Sequence, residues 1–203
     1  MSPEEFRHLI RTKTDEELLG PCLKDDVTPY VFETKPETWM AFRAYLSNQL
    51  SIAVVDITVI GSARFGFSLK PNSNLRTFTD KSDIDVVIVN PDLFDRLWYA
   101  LLRAAYPRSP VTEIAGGWLA SRQKELYAGW LSPLEIRLDR RIFGQRAVPV
   151  LDFNTRWFNA FKKASRHPPR RHEDISGRLY RTWEHAELYH LYSLAALRKS
   201  LAR

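Results

Sequence analysis

The stretch AVVDITVIGSARFGF, residues 53–67, and the later stretch KSDIDVVIV, residues 81–89, decide how this chain is read. Residues 53–60 are rich in β-branched side chains and read as a strand that ends on Gly61-Ser62. Residues 63–69 read as a short helix turning back from that corner. Residues 82–89 read as a second strand, apolar enough to be buried on both faces. In a strand, residues two apart point the same way, so Asp83 and Asp85 share one face at its start while Ile84 and Val86 face the other side. Two carboxylates held together repel unless a cation or proton lies between them. A hard divalent ion such as Mg²⁺ removes that cost, and a pair of such ions can brace the attacking and leaving oxygens of phosphoryl transfer. Gly61 lets backbone approach a phosphate closely, Ser62 adds a hydroxyl donor, and a helix starting at Ala63 would present its N-terminus to an anion.

Working outward, Ser2-Pro3-Glu4-Glu5 and Thr14-Asp15-Glu16-Glu17 each read as a capped helix start, the second helix stopping at Gly20-Pro21. Residues 37–50 carry Trp39, Met40, Phe42, Tyr45, Leu46 and Leu50 at near-helical spacing. Residues 71–81 read as a polar loop, more a surface connection than a substrate lid. Residues 91–105 read as a helix capped by Asn90 or Asp92 and ended by Pro107. Residues 134–138 (LEIRL) and 147–151 (AVPVL) are weaker strand candidates. Residues 154–165 read as a helix, residues 167–171 (HPPRR) as a break, and residues 176–201 as one long terminal helix. Repeats and heptads are absent from the sequence.

The chain has 203 residues, 44% hydrophobic and 12% aromatic, enough for a real core without staples. No apolar run is long enough to span a bilayer, and the acidic N-terminus lacks a signal-peptide core, so a cytoplasmic protein without membrane contact is expected. Cys22 is the only cysteine, which excludes an internal disulfide and a cysteine zinc site. The net charge of +6 is uneven. Residues 153–203 hold 11 Lys and Arg against 4 Asp and Glu, a balance of +7, so the remainder carries −1. That asymmetry suggests an anionic partner or a solvated basic surface in equal measure.

The paired elements resemble the DNA-polymerase-β-like nucleotidyltransferase superfamily, whose members carry a Gly-Ser corner, a short helix, then a strand with Asp-hydrophobic-Asp. The matching residues are Gly61-Ser62-Ala63-Arg64-Phe65-Gly66 and Ser82-Asp83-Ile84-Asp85-Val86-Val87, about a sixth of the chain. The resemblance implies an α/β or α+β nucleotidyltransferase core over residues 51–152, a mixed sheet flanked by helices, with helical segments over 1–50 and 153–203. It implies that Asp83 and Asp85 bind Mg²⁺ or Mn²⁺, that Gly61, Ser62, Arg64 and Ser82 contact a nucleoside triphosphate (ATP is expected), and that a nucleoside monophosphate passes to an acceptor hydroxyl on protein, RNA, a small molecule or a second nucleotide. A bacterial toxin–antitoxin or phage-defence setting is suggested by analogy alone.

Two departures are visible. The spacer from Ser62 to Asp83 is long. The third carboxylate that the superfamily takes from a later strand is not announced: Asp152 is the first choice, against a plainer role as helix cap, with Glu135 and Asp139 as alternatives. Without one, the protein would be a non-catalytic nucleotide- or RNA-binding module. Arg178, Arg181 and His185, at i, i+3 and i+7 of the expected terminal helix, would share a face that holds phosphates or is merely solvated. Trp183, Tyr189 and Tyr192 would stack a base or, more simply, fill the core. Lys162, Lys163, Arg166, Arg170 and Arg171 form a basic cluster suited to an RNA or acidic protein acceptor, or to docking a partner. His167, His172, His185 and His190 lack metal-ligand spacing. Walker, Rossmann, hydrolase-elbow and zincin motifs are missing.

Overall fold

β-Branched residues crowd a helix but suit a pleated surface, and the two β-branched stretches on either side of the Gly61-Ser62 corner pair as a hairpin. The computed structural model describes residues 1–24, 27–106, 109–115, 117–133, 136, 138–165 and 174–201. In chain order the elements are α1 (Pro3–Thr12), α2 (Asp15–Leu19), a π-turn (Gly20–Lys24), a 3₁₀ turn (Tyr30–Phe32), α3 (Glu37–Leu50), a 3₁₀ turn (Val54–Asp56), β1 (Ile57–Ile60), α4 (Ser62–Phe65), β2 (Ile84–Val89), α5 (Pro91–Ala105), α6 (Pro110–Ala115), α7 (Gly117–Tyr127), β3 (Trp130–Leu131), α8 (Arg140–Phe143), a 3₁₀ turn (Gly144–Ala147), α9 (Val148–Ala164), β4 (Ile175–Tyr180) and α10 (Trp183–Leu201).

The strands form one mixed sheet in the order β1-β2-β4-β3. β1 runs antiparallel to β2, β4 parallel to β2, and β3 antiparallel to β4. A parallel pair needs a long crossover, and here it runs from α5 through α9. One face of the sheet, bearing Ile57, Val59, Ile84, Val86, Ile88 and Leu179, packs with Trp39, Leu46, Phe94, Leu97, Phe153 and Trp157 of α3, α5 and α9. The other, bearing Val87, Val89 and Tyr180, packs with Phe6, Ile10, Leu18, Leu194 and Leu197 of α1, α2 and α10. β2 is therefore covered on both sides, as its composition predicts.

Local chemistry explains three helix starts. Ser2 and Thr14 each close a complete capping box with Glu5 and Glu17. Asn90 caps α5 by accepting from the Leu93 N–H, with Pro91 in the first turn.

Three sequence expectations are corrected. Residues 147–151 are no strand: Ala147 ends a 3₁₀ turn, and α9 starts at Val148, where Pro149 costs no backbone hydrogen bond, six residues before the expected start. Of residues 134–138, Ile136 and Leu138 lie outside any strand, and the Ile136 N–H closes a turn onto the Pro133 carbonyl. Residues 134, 135 and 137, Glu135 among them, lie outside the described residues. The expected terminal helix from Ser176 is first a strand: Ile175–Tyr180 inserts between β2 and β3, and only Trp183–Leu201 is helical. Gly177 lets the strand lie against α9, because a Cβ there would collide with the Phe161 ring and lie 2.9 Å from Trp157. The strand thus lies close against α9 where no side chain fits. The 71–81 stretch is the expected loop, mostly exposed, with only Leu75 and Phe78 buried. The expected boundary at 152/153 falls inside α9, and the basic C-terminal segment supplies a strand of the shared sheet.

Candidate functional site

β1 ends opposite the acidic pair. Ile60 stands across from Asp85 in the antiparallel register, so Gly61-Ser62 and Asp83-Asp85 occupy the same end of the hairpin. Gly61 has φ 64° and ψ −140°, a conformation costly for any residue with a Cβ. Its carbonyl accepts from Arg64 N at 3.1 Å and Phe65 N at 3.2 Å, which starts α4. Ala63 is wholly buried behind the corner.

Arg64 points the other way. It is buried, and its guanidinium donates to the Pro21 carbonyl at 2.6 Å, Thr58 Oγ1 at 3.3 Å and the Val59 carbonyl at 3.4 Å. These contacts tie the π-turn to β1, a structural use of a residue expected at the nucleotide. Ser82 accepts from the Thr79 N–H at 3.0 Å and closes the turn that delivers Asp83.

Asp83 is exposed and Asp85 half-buried. β4 lies alongside them. The Ile84 N–H donates to the Asp174 carbonyl at 3.1 Å, so Asp174 stands beside Asp83 one step before the parallel register begins. Ser176, directly across from Asp85, donates its hydroxyl to Asp85 Oδ1 at 3.0 Å. Sequence reasoning missed both because it read residues 176–201 as a helix and left Asp174 in the unassigned stretch before it. The available signal was an acid, Asp174, immediately before Ile175 and the close-packing Gly177.

The carboxylates expected from elsewhere are differently engaged. Asp152 is an exposed residue inside α9, neither on a strand nor at the helix cap. Asp139 caps α8 and holds Arg141 in an ion pair of 2.8 Å, which keeps its carboxyl below the usual range. Among the described residues no group of three or more His, Cys, Asp or Glu side chains is gathered closely enough to hold a metal ion. Asp83 and Asp85 by themselves are two oxygen donors of the kind Mg²⁺ prefers, and that ion commonly takes its remaining ligands from waters and substrate phosphates.

Behind Asp85, on the same sheet face, Arg178 lies over the rings of Trp130 and Tyr189, each at 4.7 Å. Tyr180 is fully buried, and burial pushes its phenol up to about 12 against the opposing pull of the Arg178 charge. Burial, helped by Arg178, pushes His190 down to about 4. Arg178 Nε, Tyr180 Oη and His190 Nε2 have no hydrogen-bond partner among the described residues.

Arg178, Arg181 and His185 do not share a helix face. Arg178 is on β4, while Arg181 follows the strand's far end and pairs with Asp95 at 3.0 Å. His185 Nδ1 meets Thr182 Oγ1 at 2.6 Å. Arg181 and His185 line a cavity of about 720 Å³ with Trp98 and Tyr127. Five residues of strand, roughly 16 Å, separate Arg181 from Ser176, so it stands away from the acidic pair. Trp183 and Tyr189 pack against the core and Tyr192 is exposed. Lys162 and Lys163 are exposed at the end of α9, whereas Arg166, His167, Arg170, Arg171 and His172 lie outside the described residues.

Among the described residues no helix is long and apolar enough to cross a membrane. No family model, curated protein or solved structure matches this chain.

Proposed function

We propose that this protein is a metal-dependent nucleotidyltransferase, moving a nucleoside monophosphate from a triphosphate to an acceptor hydroxyl. The observation that carries the reading is the placement of the Gly61-Ser62 corner and the Asp83/Asp85 pair at one end of the β1–β2 hairpin, with Ile60 across from Asp85. Asp174, immediately before the neighbouring strand, is the third carboxylate of this reading, replacing Asp152. The polymerase-β-like resemblance agrees with that arrangement: corner, short helix, acidic strand, then a later strand beside it.

Asp83 and Asp85 would hold Mg²⁺ or Mn²⁺, which supplies charge neutralisation at the phosphates. Gly61 and Ser62 would seat the triphosphate through backbone N–H groups and the Ser62 hydroxyl. Ser176 keeps Asp85 oriented. The acceptor oxygen forms a bond to the α-phosphorus, the bond from that phosphorus to the bridging oxygen breaks, and pyrophosphate leaves. Asp174 would take the hydroxyl proton. The protein's contribution is then positioning and electrostatics. ATP is the first nucleotide to try, and RNA and protein the first acceptors.

Calorimetric titration with a non-hydrolysable ATP analogue and Mn²⁺ tests the site. Metal-dependent binding lost in Asp83→Ala/Asp85→Ala supports it, and equal binding by the double variant overturns it. A second reading, a nucleotide-binding module without turnover, is favoured by one observation: no three acids are gathered at metal-binding distance among the described residues. It predicts the same binding with no transfer.

A further inference from the structure

The loop that leads into Asp83 carries three residues with positive φ: Asn72 at 64°, Asn74 at 49° and Leu75 at 55°. Asparagine tolerates this region, but for a bulky leucine it is an outlier that persists only where surrounding contacts impose it. Burial of Leu75 among the α1 and α10 side chains provides one such contact. Polar ties provide the others. Asn72 N donates to Ser200 Oγ at 2.8 Å, Ser200 Oγ donates to Asn72 Oδ1 at 3.1 Å, and Arg7 Nη2 donates to Asn74 Oδ1 at 2.7 Å. Loop, α1 and the end of α10 are thereby fastened around a cavity of about 520 Å³.

Among the described residues every cation lining that cavity is an arginine. Arg198 is committed to the frame: its guanidinium donates to Asp15 Oδ1 at 2.6 Å and to the carbonyls of Ile10 and Lys13. Arg7 and Arg11, one helical turn apart on α1, share a face and make no ion pair with any described residue. Arg7 donates its side-chain hydrogen bonds to Asn74 alone among the described residues, and Arg11 is exposed. Planar guanidinium forks match paired oxyanion oxygens better than an ammonium does, and two forks without a carboxylate partner among the described residues leave this cavity suited to phosphate oxygens.

We propose that this cavity is a phosphate-binding site, filled by the phosphate groups of a nucleic acid strand or of a small polyphosphate. A strand bound there would serve as the acceptor, the cavity being closed by the loop that feeds β2. Calling the ligand an acceptor rests on the transferase reading; the binding itself does not.

The test is equilibrium binding of fluorescein-labelled single-stranded RNA, and separately of pyrophosphate, to the full chain in EDTA at several salt concentrations. Wild type, Arg7→Gln/Arg11→Gln, Arg11→Glu alone, and Asp83→Ala/Asp85→Ala are compared, with circular dichroism confirming that each is folded. The expected result is at least a tenfold loss in Arg7→Gln/Arg11→Gln, a loss of the same sign in Arg11→Glu (which disturbs no bond to the loop), and undiminished binding in Asp83→Ala/Asp85→Ala. For RNA the salt slope should fall by about 1.4, the value for two lost contacts to a single strand. Binding of RNA identifies a nucleic acid as the source, and binding of pyrophosphate alone a small polyphosphate. Equal affinity in wild type and both arginine variants, or no binding of either probe, overturns the site. Loss confined to the aspartate variant places the phosphate at the acidic pair and equally overturns it.

Discussion

The Ser176 hydroxyl donates to Asp85 Oδ1 at 3.0 Å across the parallel β2–β4 pair, so a residue 91 positions away in sequence orients one of the two candidate metal ligands. A hydrogen bond to a charged group contributes about 1.5–3 kcal/mol, with the lower end expected at an exposed site. Ser176→Ala should therefore slow nucleotide transfer roughly tenfold by loosening Asp85. Because Ser176 is exposed, the thermal midpoint should fall by only a few degrees. Initial rates against divalent-ion concentration check this, with the midpoint for half activity rising in the variant.

Asp174 and Asp152 separate two accounts of the third carboxylate. Asp174 stands beside Asp83, while Asp152 is on an exposed helical position. Asp174→Asn should lower the transfer rate by about 100-fold or more, the usual range for losing a positioned base. Asp152→Asn should stay within about twofold of wild type, as surface changes remote from chemistry do. Single-turnover rates of the two variants, measured side by side, decide it.

His190 makes stability depend on acidity. Its folded value of about 4 lies below the unfolded 6.5, through burial first and the Arg178 charge second. The unfolded chain thus binds the proton more readily, and stability present above about pH 6.5 is lost as pH falls toward 4. Between pH 7 and pH 5 the loss should be about 2 kcal/mol. Urea unfolding at the two values measures it, and His190→Leu should flatten the difference.

Close approach gives a backbone test. A Cβ at Gly177 would collide with Phe161, whereas Gly61 has open space and an unfavourable backbone conformation. Gly177→Ala should cost about 1–3 kcal/mol through overpacking between β4 and α9. Gly61→Ala should cost a similar amount through strain, and should also impair nucleotide binding, which Gly177→Ala should leave intact if it folds. Chemical denaturation paired with nucleotide titration distinguishes the two effects.

What was legible in the sequence follows from how local each determinant is. The β1–corner–β2 unit declares itself through β-branched composition, a glycine and alternating acids. Capping boxes at Ser2 and Thr14 and the Asn90-Pro91 start of α5 are likewise chemistry of adjacent residues. β4 was not legible, because Ile175–Tyr180 becomes a strand through pairing with β2 and through the space that Gly177 leaves for Phe161. Reading it as helix displaced Arg178 from the sheet, hid Ser176 and Asp174, and joined Arg181 and His185 to a face they do not form. Residues 147–151 misled in the opposite direction: valines around a proline suggest an edge strand, yet Pro149 suits the first turn of α9 equally well. Arg64 shows the limit for single residues, since nothing in its sequence neighbourhood reveals that Pro21 will meet it.

The central claim is tested most directly by following the α-phosphate of each of the four labelled ribonucleoside triphosphates, with Mg²⁺ or Mn²⁺, in a cell extract containing RNA and protein. Label should appear on RNA, protein or a new small product with the wild-type chain, and on none of them with Asp83→Ala/Asp85→Ala. Folded wild-type protein that transfers no label from any of the four, or a double variant that transfers as well as wild type, would contradict it.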